Sequence, residues 1–258
     1  MNFLVKCIIV CPLVFLAGFI DAIAGGGGII TIPAYLLAGL PAHIAVGTNK
    51  TVSGIGTFAS VTKYIKSGAV IGEVAAVAAV GSIIGAAIGS NLALLLPEQT
   101  LKTILLVALP CVALFITFNR GFGQENVGSK NLSRIRRAFY SLLIGLGIGG
   151  YDGLIGPGTG TFLIIAFTAV LGTDLLTSSA CGRVTNLASN LTSMVIYVMA
   201  GEVDYLLTLP AAACYGLGGY VGSSYALKGG SKNVRKVMFV VLGLLFVKVG
   251  ADLLGISF

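Results

Sequence analysis

The stretch GFIDAIAGGGGIITIPAYLLAGLPAHIAVGTNK, residues 18–50, holds 33 residues and only two full charges, Asp21 and Lys50. Its apolar run is cut by four consecutive glycines at 25–28 and punctuated again by Pro33, Gly39 and Pro41. A soluble helix alternates an apolar stripe with a polar face; here apolar residues surround every charge, so the stretch reads as helices immersed in hydrocarbon and broken in the middle.

The rest of the chain follows the same rule. Of 258 residues, 56% are hydrophobic and 10% charged, with a mean hydropathy of +1.00, whereas soluble domains carry about 25% charged residues. Apolar runs near the length of about 20 residues that spans a bilayer recur from end to end. By length and punctuation the spans fall at 4–24, 27–40, 45–62, 69–95, 100–118, 138–155, 158–172, 176–199, 205–227 and 237–256. The fold class read from this is all-α: a polytopic transmembrane bundle of ten crossings, in one domain covering 1–258. The second and seventh spans are short; a helix of about 15 residues at about 1.5 Å per residue covers about 22 Å of a core of about 30 Å. They are therefore broken or re-entrant, and eight spans plus re-entrant elements is the alternative count. MNFLVK, the run after it and the AIA ending at Ala24 imitate a cleavable signal peptide, but cleavage there would remove the partner of a matching span in the second half.

Positive charge orients the spans, because cytoplasmic loops carry excess Lys and Arg. The linker 119–137 holds Arg120, Lys130, Arg134, Arg136 and Arg137, and a later loop holds Lys228, Lys232, Arg235 and Lys236. Both lie on the cytoplasmic side only if the short element at 158–172 traverses the bundle. Lys63 and Lys66 then also face inward, Glu98, Glu202 and Asp204 face outward, and the chain begins and ends outside.

With an offset of 132 to 133 residues the halves superpose: Gly26 and Gly28 on Gly158 and Gly160, Lys50 on Arg183, Ser60 on Ser193, Gly68 on Gly201. Two repeats, 1–118 and 138–256, each contain five passes. An odd number inverts the second against the first, an architecture in which discontinuous helices meet at a site near the bilayer midplane. The alternative to the inverted repeat is chance likeness among glycine-rich apolar helices.

The breaks GGGGIITIP at 25–33 and GPGTGTF at 156–162 expose backbone N–H groups, and a helix starting there offers its positive dipole end to an anion. The alternative is close helix packing, which explains Gly81, Gly85 and Gly89. Lys50 and Arg183 are cations inside spans, where a charge normally faces the interior; snorkelling to a headgroup is the other reading. Ser53 and Thr57 follow Lys50, and Asn186 and Asn190 follow Arg183, each pair on its cation's helix face. The candidate substrate site is thus Gly26, Gly27, Gly28 and Thr31 in the first break; Thr48, Asn49, Lys50 and Ser53 after it; Gly158, Thr159, Gly160 and Thr161 in the second break; and Arg183, Asn186 and Asn190. Asp21 and Asp152 precede the two breaks and are candidates for pairing with a cation or carrying a proton.

Other chemistries find little support. The basic residues sit in loops rather than on one face, against nucleic acid. Cys7, Cys11, Cys111, Cys181 and Cys214 lie in apolar segments as packing residues. The single histidine, His43, and the lack of paired cysteines leave a metal without its usual ligands. GTNKT lacks the glycine before the lysine that a phosphate-binding loop needs, and no nucleophile or acid–base cluster suggests an enzyme. No cofactor is implied. The partners are a small anionic substrate and membrane lipid, with a homodimer left open.

Residues 18–50 with the Gly68 boundary, and in the second half GPGTGTF then ACGRVTNLASNLTSMVIYVMAGEV, resemble the two repeats of the sulfite exporter TauE/SafE family of membrane permeases. The resemblance covers essentially the whole chain. It implies a multi-pass inner-membrane transporter of sulfite, sulfonates, sulfoacetate or other organic anions, driven by an ion gradient. Arg183 stands where that family often has lysine; its flat bidentate contact implies a different fit to substrate. An anion channel using the same cations along a pore is the competing function.

Overall fold

A computed structural model describes residues 2–105, 107 and 132–253, with side chains as far as 239. Its helices are α1 (Phe3–Ala24), α2 (Gly28–Leu37), α3 (Ala42–Lys66), α4 (Gly72–Leu95), α5 (Arg134–Leu154), α6 (Thr159–Ala166), α7 (Leu175–Met199) and α8 (Tyr205–Leu253). A further helical stretch covers 98–105, and a π-helical turn, Phe167–Leu171, prolongs α6. Most of the expected span 100–118, with Cys111, Arg120 and Lys130, lies outside the described residues. One boundary differs from expectation: the expected loop between 227 and 237 is helical, and the two last spans join in α8 through a single non-helical residue, Gly230.

The bundle is apolar outside and polar inside. Leu4, Ile8, Ile83, Ile88, Leu92, Leu206 and Leu209 are exposed, while Lys50, Arg183, Asp21, Asp152 and a set of hydroxyl and amide side chains are buried. Only α1 and α4, among the described helices, are long and uniformly apolar enough to pass as membrane spans by themselves. α3 and α7 are as long but turn a polar face inward, and that face lowers their apolar content.

Side-chain neighbours fix the helix directions. Gly81, Gly85 and Gly89 on α4 lie successively against Leu142, Leu146 and Gly150 on α5, so these helices run parallel. Likewise Phe15 and Phe19 on α1 meet Gly218 and Gly222 on α8 in ascending order, and on α3 Gly56 meets Tyr215 while Ser60 meets Gly219. α4 runs parallel to α7, with Ile71 just before it at Cys181 and Ser90 at Ser193. α3 and α7 oppose each other, Gly47 meeting Tyr197 and Thr57 meeting Arg183. One direction therefore holds α1, α3 and the first part of α8; the other holds α4, α5 and α7. Among the described helices, α1, α3 and α4 run opposite to α5, α7 and the first part of α8, respectively. Since α1 and α3 run the same way, and α5 and α7 do too, the short elements α2 and α6 with its π turn carry the chain back between them.

Packing obeys the same exchange. One apolar cluster joins Val10, Tyr35, Val52 and Leu207 from α1, α2, α3 and α8; another joins Val74, Leu163, Phe167 and Cys181 from α4, α6, its π turn and α7. Gly68 and Gly201, matched in sequence, both close their helices at φ 75°. Where α4 meets α5, a Cβ on Gly85 or Gly149 would strike the facing backbone, so small residues set this contact, as expected in lipid, where packing replaces the hydrophobic drive.

Candidate functional site

The two glycine breaks cross inside the bundle. A Cβ on Gly25 would collide with the backbone of Gly160 and Thr161, and one on Gly160 would lie 2.6 Å from the Gly25 Cα. Only glycine permits that approach, and φ of 73° at Gly25 suits it for the same reason.

α1 ends at this crossing, and an α-helix leaves its last four carbonyls without intrahelical donors. Water usually answers them; here side chains from other helices do. The Asp21 carbonyl accepts from Arg183 (3.2 Å), Ala22 from the Tyr64 hydroxyl (2.7 Å), Ile23 from Ser179 (2.8 Å) and Ala24 from Thr161 (2.9 Å). The arginine also places positive charge at the negative end of the helix dipole.

Both buried cations are paired across the halves. Arg183 on α7 forms an ion pair with the Asp21 carboxylate on α1 and donates to the Thr57 hydroxyl at 2.8 Å. Asp21 accepts in addition from the Tyr215 hydroxyl and from the Gly27 amide (3.0 Å). Lys50 on α3 meets Asp152 on α5 at 2.8 Å. Asp152 further accepts from Thr159 (2.8 Å), Ser189 (2.5 Å) and, more loosely, Asn186 (3.4 Å). Neither cation reaches a surface, so they do not snorkel.

Between the breaks lies a small polar cavity lined by Asp21, Gly26, Gly27, Gly28, Asn49, Ser53, Asp152, Gly156, Thr159, Gly160, Asn186 and Asn190. The helix N-termini of α2 and α6 face it from opposite halves. The amides of Gly26, Gly28 and Gly160 have no acceptor among the described residues. Asn49 accepts from Thr31 at 2.5 Å through its oxygen, which leaves its amide group to the cavity. The wall thus offers neutral donors and two carboxylates, each balanced by a cation immediately behind it.

Of the residues expected at the site, the glycines 26, 27, 28 and 160, with Asn49, Ser53, Thr159, Asn186 and Asn190, line the cavity, as do Asp21 and Asp152. Lys50 and Arg183 stand one layer back. Thr31 and Thr161 orient the wall through Asn49 and Ala24, Gly158 caps α6 with a left-handed φ of 80°, and Thr48 points away to accept from the Asp204 amide at 2.9 Å. Sequence reading missed Gly156, Ser189 and Tyr215. Ser189 lies three residues after Asn186 on the face already marked; Tyr215 stands in an apolar run where no spacing singles it out.

An apolar exterior around a charge-paired polar centre fits a helical membrane protein rather than a soluble one. The sequence profile described as sulfite exporter TauE/SafE matches residues 10–249, and the chain belongs to that family. It is similar to a probable membrane transporter protein of Sinorhizobium, 34% identical over 238 residues that cover 92% of this chain and 90% of the relative. Another, from Haemophilus influenzae, is 29% identical over 92% of each chain. The probable membrane transporter protein YfcA of Escherichia coli is 29% identical over 92% of this chain and 87% of its own. No solved structure matches.

Proposed function

We propose that the protein is a secondary transporter that moves a small anion, such as sulfite, a sulfonate or another sulfur-containing or organic anion, across the inner membrane by alternating access. One observation carries the reading: the cavity is built jointly by two oppositely oriented breaks, so that rocking one half against the other would expose it to either side in turn. Its amide donors and two helix N-termini suit an oxyanion. The basic ends Lys63, Arg134, Arg136, Arg137 and Lys228 gather at one end of the bundle, which supports a cytoplasmic assignment for that end.

The test is uptake into proteoliposomes. Saturable uptake of sulfite or methanesulfonate, with counterflow, is the expected result, and Lys50→Gln should abolish it while the protein remains monodisperse. Ohmic single-channel currents would replace the carrier with a channel.

A further inference from the structure

The two ion pairs occupy matching repeat positions but are not equivalent. Arg183 spreads its charge over the Asp21 carboxylate, the Asp21 carbonyl and Thr57, and Asp21 is held also by Tyr215 and the Gly27 amide. Lys50 has one partner. Its 2.8 Å contact with Asp152 is ionic and not aligned as a hydrogen bond, and the ammonium finds no other acceptor among the described residues. It also abuts the cavity wall: a Cβ on Gly156, which lines the cavity at φ 94°, would come within 2.9 Å of the Lys50 Nζ.

Charge counting adds a constraint. Asp21, Asp152, Lys50 and Arg183 sum to zero, and all are buried. A monoanion entering this cavity would leave an unbalanced buried negative charge, which low-dielectric surroundings oppose strongly. A proton on either carboxylate restores the balance, and Lys50, whose ammonium has one contact against the three of Arg183, is the cation more readily released. The groups around Asp152 are Lys50 on α3, Tyr151 beside it on α5, Thr159 on α6, and Asn186 and Ser189 on α7; Asp21 shares the cavity wall, with Arg183 behind it. From α4, Ala86 and Ser90 lie against the neighbouring Gly153 and bring no charge.

We infer that Asp152 is the proton-coupling group of the transport cycle and Lys50 the cation that takes the anion, while Arg183 and Asp21 form a permanent clasp. This rests on the transport function proposed above. A proton from one aqueous phase binds the Asp152 carboxylate and ends its ion pair; the Lys50 ammonium, next to Gly156, pairs with the incoming monoanion instead. When the cavity opens to the other side the anion leaves, the proton returns to water and the Lys50–Asp152 pair re-forms. One monoanion and one proton travel together, so transport is electroneutral.

The experiment uses reconstituted full-length protein and methanesulfonate, a monoanion whose charge does not titrate in the working range, with sulfite in parallel. Wild-type uptake should rise several-fold under a pH gradient alkaline on the anion-receiving side, and should ignore a potassium–valinomycin potential. Asp152→Asn, which keeps a hydrogen-bonding side chain but no titrating group, should lose the gradient response entirely, whereas Asp174→Asn, at a carboxylate that does not line the cavity, should keep it. An Asp152→Asn protein still driven by the gradient, or a wild type driven by the potential instead, overturns the inference. Should Asp152→Asn fail to fold, the wild type decides: its stabilisation by methanesulfonate in thermal unfolding should grow as pH falls, and a pH-independent shift overturns the assignment. Absence of wild-type uptake for every probe overturns the transport function itself, a result distinct from these.

Discussion

Arg183 and Asp21 stand 162 positions apart in the chain and form one buried ion pair that fastens α7 of the second half to the broken end of α1 in the first. Removing one member of a buried pair strands the other charge, at a cost of about 3–5 kcal/mol, whereas removing both costs much less. Arg183→Gln and Asp21→Asn should each lower the melting temperature in detergent sharply, and the double variant should be more stable than the sum of the two. Additive losses would mean that the two side chains act independently.

The crossing of the breaks gives a second expectation. Gly25→Ala meets both a left-handed φ and the Gly160 backbone, so no side-chain shift relieves it. Gly39 has an equally positive φ, 82°, but nothing within 4 Å of an added Cβ. Gly39→Ala should therefore cost about 1 kcal/mol, from backbone conformation alone, while Gly25→Ala should prevent accumulation of folded protein. Comparable yields of the two variants, measured by fluorescence size-exclusion chromatography, would contradict the close approach.

Tyr64 and Tyr197 occupy equivalent places in the repeat, and both are fully buried. Their hydroxyls differ: Tyr64 donates to the Ala22 carbonyl at 2.7 Å, one of the terminal carbonyls of α1, while the Tyr197 hydroxyl has no partner among the described residues. A net hydrogen bond is worth about 1 kcal/mol, and an unsatisfied buried hydroxyl costs free energy. Tyr64→Phe should destabilise by about 1 kcal/mol or somewhat more, and Tyr197→Phe should be neutral or slightly stabilising in the same thermal assay. A symmetric response would show that the second hydroxyl also finds a partner.

What the sequence disclosed, and what it did not, follows from the range of each signal. The two breaks, the polar face carrying Asn186 and Asn190 and the lengths of the first four helices and of the helix Leu175–Met199 are local patterns, and the structure has them within a few residues, whereas the loop expected at 227–237 is helical. Loop charge and the count of passes led to the expectation of opposed halves, and among the described helices α3 and α7 do run in opposite directions. The partner of Lys50 was not: Asp152 lies about a hundred residues away and pairs with it through inversion of the repeat, which no local spacing encodes. Tyr215 was hidden for the same reason, since its value lies in reaching Asp21 from α8. Thr48 was misleading in the other direction; it adjoins Asn49 and Lys50 in sequence, yet the helix turn directs it to the Asp204 amide.

The start of α7 offers a pH-dependent prediction away from the polar centre. Asp174 caps this helix, accepting from the amides of Leu176 (2.9 Å) and Thr177 (3.1 Å), and also from the Thr177 and Ser231 hydroxyls at 2.5 and 3.1 Å. Partial burial pushes its carboxyl up, but these four hydrogen bonds, led by that of the Thr177 hydroxyl, outweigh burial and hold it below the ordinary aspartate range. A carboxylate so depressed contributes stability that is complete above its unfolded pKa and disappears as pH falls through the folded one, here in the acid range below about pH 4. Since Ser231 follows the Gly230 interruption of α8, the cap also ties the start of α7 to that bend. Asp174→Ala should cost about 1 kcal/mol at neutral pH, as loss of an N-cap does, and Asp174→Ser should recover most of it. The loss on Asp174→Ala should shrink as the medium is acidified, because the wild-type carboxylate is then protonated as well. A difference in melting temperature that stays constant from neutral to acid pH would mean that the carboxylate's charge plays no part in the cap.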